Sequence, residues 1–385
     1  MEKVTDTIIH IGVNDHNIHL FEAQYPVPQG MAYNSYVILD EKIAVTDTVE
    51  ESFAHQWFAN LEEALQGRKP DYLVVHHMEG DHSANIQAFM EKYPEAQVVS
   101  SLAALNMMKC YFGVDYTPRA IPVREGFVLE LGKHALQFIA APMIHWPEVF
   151  MSYDACDKVL FSADAFGTFG ANDQEPEEPW ETEARRYYYG IVGKFGTFTE
   201  TLLKKAAGLD IKTICSLHGP VLTGDVSHYV DLYKKWATYT PESDGVFIPY
   251  TSIYGHTEKA VQLLAEELKK AGKEVVTMNL AENDVSYALT LAFYYKNIVF
   301  ATTTYNGGIF PTMEDLLFRL ADHNFCKRRV GFVENGSWGP AAAKTMKEKL
   351  AACKELEYTD TTVTVKGALN DVSVEAVKKL AAELA

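Results

Sequence analysis

The chain is short of cysteine and of positive charge, and each shortage excludes something. Its 5 cysteines (Cys110, Cys156, Cys215, Cys326 and Cys353) form no Cys-x-x-Cys pair and are odd in number, so neither a disulfide framework nor a thiolate metal site is expected. A reducing cytoplasm is the expected setting. Lys and Arg number 34 against 52 Asp and Glu, for a net charge of -18. That excess of negative charge disfavours nucleic acid and anionic membrane surfaces as partners. Local basic groups, Arg185-Arg186 and Lys327-Arg328-Arg329, leave a small acidic partner open. No apolar run approaches the roughly 20 residues of a membrane span, and the polar, charged first segment argues against a signal peptide. There is no repeat at a period of about 20–50 residues and no low-complexity tract.

What is present is a length of 385 residues with 48% hydrophobic content, enough for two domains with separate cores. Up to about Tyr239 the apolar runs are short and β-branched: Tyr33–Leu39, Ile43–Val45, Tyr72–Val75, Gln97–Val99, Leu136–Ala140, Val149–Tyr153, Val159–Ser162 and Lys212–Ser216. Helical patterns fall between them, and sheets covered by helices are expected. Thr240-Pro241-Glu242-Ser243-Asp244-Gly245 reads as a linker. After it, strands at Val246–Pro249, Glu274–Asn279, Asn297–Ala301, Arg329–Val333 and Asp360–Val365 alternate with helical patterns. That rhythm predicts a doubly wound parallel sheet. The expected domains are residues 1–242 and 245–385.

The densest chemistry lies in His76-His77-Met78-Glu79-Gly80-Asp81-His82, directly after an apolar strand. Ionisable groups this close repel and desolvate one another unless something compensates, and a metal does so. Residues 77, 79 and 81 share one side of an extended chain; His82 turns in as a helix begins near Ser83, a good N-cap. His76 falls out of step and is expected at the strand end, outside the ligand set. His145, Asp164 and His218 each follow another short apolar run. The donors are nitrogen and oxygen without thiolate, which suits iron, manganese or zinc and disfavours structural zinc. They are too many for one ion and suit two, with Asp164 able to bridge.

In the second half, Thr251-Ser252-Ile253-Tyr254-Gly255-His256-Thr257 joins a strand to a helix start. Its backbone N–H groups and hydroxyls can cradle a phosphate at a helix N-terminus. It holds no Lys or Arg, and neither Gly-x-Gly-x-x-Gly nor a Walker lysine, so dinucleotides and ATP are disfavoured. Thr303-Thr304-Tyr305-Asn306-Gly307-Gly308 and Ser337-Trp338-Gly339 follow the third and fourth strands, where ligands of such sheets bind. Tyr305 and Trp338 can flank a flat ring.

The order His77-x-Glu79-x-Asp81-His82…His145…Asp164…His218 resembles the metallo-β-lactamase fold, with Glu79 where most hydrolases carry His. With a flavodoxin-like half behind it, the chain resembles the flavodiiron proteins, also called A-type flavoproteins or rubredoxin:oxygen oxidoreductases, over nearly its whole length. The resemblance implies a metallo-β-lactamase-like αββα sandwich followed by a flavodoxin-like sheet. It implies FMN in the loops above and two non-haem irons per chain: one on His77, Glu79 and His145, the other on Asp81, His82 and His218, with Asp164 bridging. It further implies reduction of O2 to water or of NO to N2O, and a head-to-tail homodimer or dimer of dimers. No Cys-x-x-Cys domain follows, so a separate donor is implied, rubredoxin or reduced F420. Many members carry a His in the N-terminal segment where this chain has Glu22 after Phe21. The rival readings are a zinc hydrolase fused to a flavodoxin module, which Glu79 opposes, and a non-enzymatic flavin electron carrier.

Overall fold

The structure, a computed structural model, describes residues 2–385. It divides into two compact units, one ending at Ala237 and the other beginning at Thr238.

The first unit is an αββα sandwich. A seven-stranded sheet contains Ile8–His10, Tyr36–Ile38, Ala44–Thr46, Tyr72–Val74, Gln97–Ser101 and Ala120–Val123. A five-stranded sheet contains Val128–Glu130, Ala135–Ala140, Phe150–Asp154, Val159–Phe161 and Thr213–Cys215. One core serves both: Ile8, Tyr36, Ile38, Val74 and Val99 from the first sheet pack with Leu136, Phe138, Val159 and Phe161 from the second. Removing these side chains from water is the main force holding the sheets face to face. Helix Ala54–Leu65 covers the outside with Trp57, Leu61, Ala64 and Leu65, and Trp57 Nε1 donates to Ser35 Oγ at 3.0 Å.

The second unit is a parallel sheet in the spatial order Val275–Asn279, Ser243–Tyr250, Tyr295–Tyr305, Cys326–Asn335, Lys354–Val365. That is the flavodoxin-like order 2-1-3-4-5. Its helices include His256–Lys270 and Asp371–Leu384, whose apolar faces pack on Val246, Ile248, Val299 and Val333.

Several sequence expectations require correction. The predicted linker is half strand: Ser243–Tyr250 begins inside it. The strand expected to stop at Ala301 runs to Tyr305, turns through Asn306 (φ 50°) and Gly307 (φ 76°), and pairs with Gly308–Ile309. An Asn-Gly pair is the preferred filling of such a turn, so the hairpin signal was in the sequence. Ser83 is not an N-cap. The helical turn Gly80–Ser83 starts after Glu79, and the Ser83 hydroxyl donates to Met78 O at 2.9 Å. The basic groups are only partly at the surface: Lys327 is exposed and Arg329 half-buried. Arg185, Arg186 and Arg328 are buried; Arg186 pairs with Glu183 and lies 4.3 Å from the centroid of the Phe169 ring, and Arg328 donates to the carbonyls of Tyr239 and Ala292.

At the rim where strand Ala135–Ala140 begins, buried His134 donates from Nδ1 to Asp154 Oδ2 at 3.0 Å, and its Nε2 meets Thr7 Oγ1 at 2.9 Å. Cys156 and Asp157 lie close by, but both ring nitrogens already have partners, so the group is a hydrogen-bonded clasp. The bond to Asp154 raises the His134 pKa above 6.5. Burial opposes ionisation of Asp154, but the His134 bond and backbone N–H groups outweigh it and lower its pKa. The stabilisation is therefore complete below the unfolded histidine value, fades as pH rises through the raised value of His134, and is lost at the acid end as pH falls through the lowered value of Asp154. His134→Ala is expected to cost about 3 kcal/mol, with the gap in thermal stability widest in mildly acidic buffer and narrower in alkaline buffer; a gap that does not change with pH would refute the pairing.

Candidate metal centre

The seven predicted donors come together at the rim where the strands of both sheets end. Tyr72–Val74 leads into His77, Glu79, Asp81 and His82; Ala135–Ala140 leads to His145, Val159–Phe161 to Asp164 and Thr213–Cys215 to His218. They form two groups, His77-Glu79-His145-Asp164 and Asp81-His82-His218, with the donor atoms of each group within 4.8 Å of one another. Asp164 faces both. Its Oδ2 lies 3.2 Å from His77 Nε2 and 3.1 Å from His145 Nε2, and its Oδ1 lies 3.5 Å from His82 Nε2 and 3.7 Å from His218 Nε2. Glu79 Oε2 stands 3.3 Å from His77 Nε2 and 3.0 Å from His145 Nε2. Asp81 Oδ2 stands 3.3 Å from His82 Nε2 and 3.4 Å from His218 Nε2.

Hydrogen bonds behind the rings set which atom faces inward. His77 Nδ1 meets Glu148 Oε1 at 2.8 Å, and His218 Nδ1 donates to Ala32 O at 2.8 Å. In the neutral rings each Nε2 therefore presents a lone pair to the cluster. Protonation relieves this at His77 and His145: burial opposes the charge, but Asp164 and Glu79 outweigh it, holding His77 well above its ordinary value and His145 at about 9. A proton relieves the other group only in part, because a neutral His82 that donates from Nε2 to His218 leaves its own Nδ1 and the carboxylates without a donor. Burial pushes His82 and His218 down, yet their Nε2 atoms face each other at 3.0 Å. Burial and the neighbouring carboxylates push Asp81 up. Both oxygens of Asp81, both of Asp164, and His82 Nδ1 are buried without a hydrogen-bond partner among the described residues. Buried acceptors in that state cost about 1–3 kcal/mol each. Cations at the two foci satisfy them together, so the donor set fits a pair of metal ions.

His76 stands outside the cluster, bonded from Nδ1 to Asp47 Oδ2 at 2.6 Å and from Nε2 to Ser152 Oγ at 2.8 Å. The same Asp47 accepts the backbone N–H of His76 at 2.7 Å and of His77 at 3.3 Å. Gly219 follows His218 at φ 78°, where a Cβ would sit 2.3 Å from Thr168 Cγ2, so only glycine fits.

Two residues near the centre, Glu148 and Tyr187, escape the sequence pattern, and a third, Glu22, is marked only by the family resemblance. Glu148 orients His77 and accepts from Met78 N at 3.0 Å. Tyr187 is fully buried, its hydroxyl has no hydrogen-bond partner among the described residues, and its ring centroid is 5.5 Å from that of His218; burial, Asp164 and Asp81 raise its pKa. Glu22 sits at the tip of hairpin Leu20–Phe21/Tyr25–Pro26. Gln24 N donates to Phe21 O at 3.0 Å across a turn with Glu22 at φ 48° and Ala23 at φ 56°. That type I′ geometry normally takes Asn or Gly, and other residues pay about 1 kcal/mol or more there. Burial and Glu79 push the Glu22 carboxyl up to about 7.

In the second unit the three predicted loops meet at the carboxyl edge of the sheet. Thr251 Oγ1 meets Thr302 Oγ1 at 2.6 Å, and Ser252 Oγ accepts Glu258 N at 3.2 Å. Thr257, in the first turn of helix His256–Lys270, accepts from Asn335 Nδ2 at 3.4 Å. Thr303 Oγ1 donates to Asn335 O at 3.3 Å, and Thr304 Oγ1 accepts Ala341 N at 3.0 Å. Gly255 precedes the helix at φ 80°. Ile253, Tyr254, Tyr305 and Trp338 expose their side chains here, Trp338 to 92%. Neutral donors beside uncovered apolar rings fit a phosphate-bearing flat ring.

Residues 31–219 match the ODP family beta lactamase model and residues 248–368 the flavodoxin model. The nitric oxide reductase of Moorella thermoacetica is 32% identical over 361 residues, covering 91% of this chain and 90% of that protein. The anaerobic nitric oxide reductase flavorubredoxin of Aliivibrio fischeri is 28% identical, over 90% of this chain and 72% of its own length. The structure of rubredoxin oxygen:oxidoreductase from Desulfovibrio gigas superposes with TM-score 0.93 at 27% identity, covering 100% of this chain and 97% of that one. Fold and site thus define a β-lactamase-like metal domain joined to a flavodoxin domain, the architecture of an oxidoreductase. The chain belongs to the flavodiiron protein family, whose cofactors are FMN and a non-haem diiron centre.

Glu148→Gln is expected to loosen His77 and lower metal affinity about 10–100-fold, read as metal retained after dialysis against a graded chelator. Unchanged retention would show that Glu148 does not support the site.

Proposed function

We propose that His77, Glu79 and His145 hold one iron, that Asp81, His82 and His218 hold the other, and that Asp164 bridges them. The observation that carries this is the division of Asp164, with one oxygen facing each group. On this reading residues 1–242 form the diiron domain and residues 245–385 the FMN domain. Thr251, Ser252, Ile253, Tyr254, Gly255, His256 and Thr257 receive the phosphate. Thr303, Thr304, Tyr305, Asn306, Gly307, Gly308, Ser337, Trp338 and Gly339 receive the ring.

When bound, FMN and the irons supply the electrons and open positions with which O2 is reduced to water or NO to N2O. The protein's part is orientation and exclusion of water. Glu148 and Ala32 O fix the two histidine tautomers, and Phe21, Phe169 and Tyr187 wall the cluster with rings. The Tyr187 hydroxyl, without a hydrogen-bond partner among the described residues and on a ring 5.5 Å from that of His218, could hold a proton beside the cluster. Rubredoxin or reduced F420 is the proposed donor, a head-to-tail homodimer or dimer of dimers the proposed assembly, and the cytoplasm the proposed location. No helix among the described residues is long and apolar enough to cross a membrane.

Anaerobically purified protein is expected to carry two irons and one FMN per chain by elemental analysis and visible absorption. Zinc in place of iron, from cells grown with ample iron, would favour the hydrolase reading; flavin without stoichiometric iron would favour the electron carrier. Asp164→Ala should abolish gas consumption while leaving FMN bound, and full consumption by that variant would rule out the bridged pair. Thr257→Val should weaken FMN binding in a fluorescence titration; unchanged affinity would move the phosphate elsewhere.

A further inference from the structure

The cluster is closed on nearly every side. His77, His82, His218 and Asp164 are at most 1% exposed, whereas Asp81 keeps 12%, His145 9% and Glu79 18% of their side-chain surface. The widest opening therefore lies at Glu79 and His145, and Glu22 stands against it. Its backbone is at the exposed hairpin tip, while its carboxyl reaches hydrogen-bonding range of Glu79 and feels the charge of His145. The hairpin is fastened in that position. Phe21 lays its ring edge-on to His218 with centroids 5.2 Å apart, Tyr25 Oη donates to Gly190 O at 2.8 Å, and Gln24 Nε2 donates to Glu22 Oε2 at 3.1 Å. Two successive residues in left-handed backbone, neither of them glycine, hold the carboxyl there. Strain kept where a relaxed turn was available points to function. The carboxyl at this opening faces a group of donors already shaped for a cation.

We propose that Glu22 supplies a further carboxylate ligand at the open face of the metal held by His77, Glu79, His145 and Asp164. This rests on the diiron reading above. Glu22 then competes with small exogenous ligands for the exposed position and slows loss of that metal.

The test uses the iron-loaded full chain, with azide as the probe for the open position. Glu22→Gln is expected to bind azide about tenfold more tightly in an absorption titration and to lose one iron to a chelator several-fold faster. Glu22→Gly should share both effects, and its metal-free form should melt at a higher temperature than the wild type because glycine relieves the turn. Unchanged azide affinity and iron loss in both variants would overturn the assignment of Glu22. Failure of the wild type and both variants alike to retain two irons per chain after anaerobic loading would instead overturn the diiron reading, so the two failures are distinguishable.

Discussion

The constraint on which the first unit depends is the convergence of buried donor atoms whose lone pairs protons satisfy only in part. His82 and His218 turn Nε2 atoms toward each other at 3.0 Å, and Asp81 and Asp164 bury oxygens without donors. A hydrophobic sandwich has no reason to gather such groups unless a positive charge sits among them. The donors come from both sheets, so metal bound there also staples one sheet to the other across the shared core. Binding free energy at such a site adds to folding free energy.

Support for the cluster is built from long-range bonds. Glu148 reaches His77 from after the strand that leads to His145, and Asp47 fixes the backbone at His76 and His77 from the neighbouring strand end. Asn34 Nδ2 donates to Ser216 O at 2.9 Å and Gly219 O at 2.7 Å, bracketing His218. Ala163, just before Asp164, takes a left-handed φ of 49°, and its carbonyl accepts Leu217 N at 2.9 Å. These elements hold the donors so that little reorganisation remains when charge arrives, which is where preorganised sites gain their advantage.

The sequence shows the donors more readily than their supports, for a physical reason. His77, Glu79, Asp81 and His82 are legible because local spacing alone crowds them, and His145, Asp164 and His218 because each interrupts the end of an apolar run. Glu148 and Asp47 are ordinary acids in their own neighbourhoods, and only the packing of distant strands gives them meaning. Tyr187 is hidden among Tyr188 and Tyr189, where no spacing rule separates the ring facing the metal centre from its neighbours. Arg186 is illegible for the same reason: the sequence offers it to a small acidic partner, yet Glu183 and the Phe169 ring satisfy it in the interior. The parallel sheet of the second unit is legible almost throughout because its rhythm is local. Its hairpin at Asn306-Gly307 is less legible because the hydroxyls and glycines around it match a ligand-binding loop equally well.

The two sites solve opposite electrostatic problems with opposite means. The metal centre concentrates carboxylates where water is excluded, so cations are held by charge and small changes in charge count are felt strongly. The proposed flavin edge lies in solvent and offers hydroxyls, backbone N–H groups and the N-terminus of helix His256–Lys270. A phosphate there needs no lysine, because a helix terminus and oriented amides supply positive potential directly. A lysine in that loop would make the flavin easier to reduce by stabilising its anionic forms. On the proposed placement, neutral donors would hold the cofactor without that bias, which suits a group that must receive electrons and pass them on.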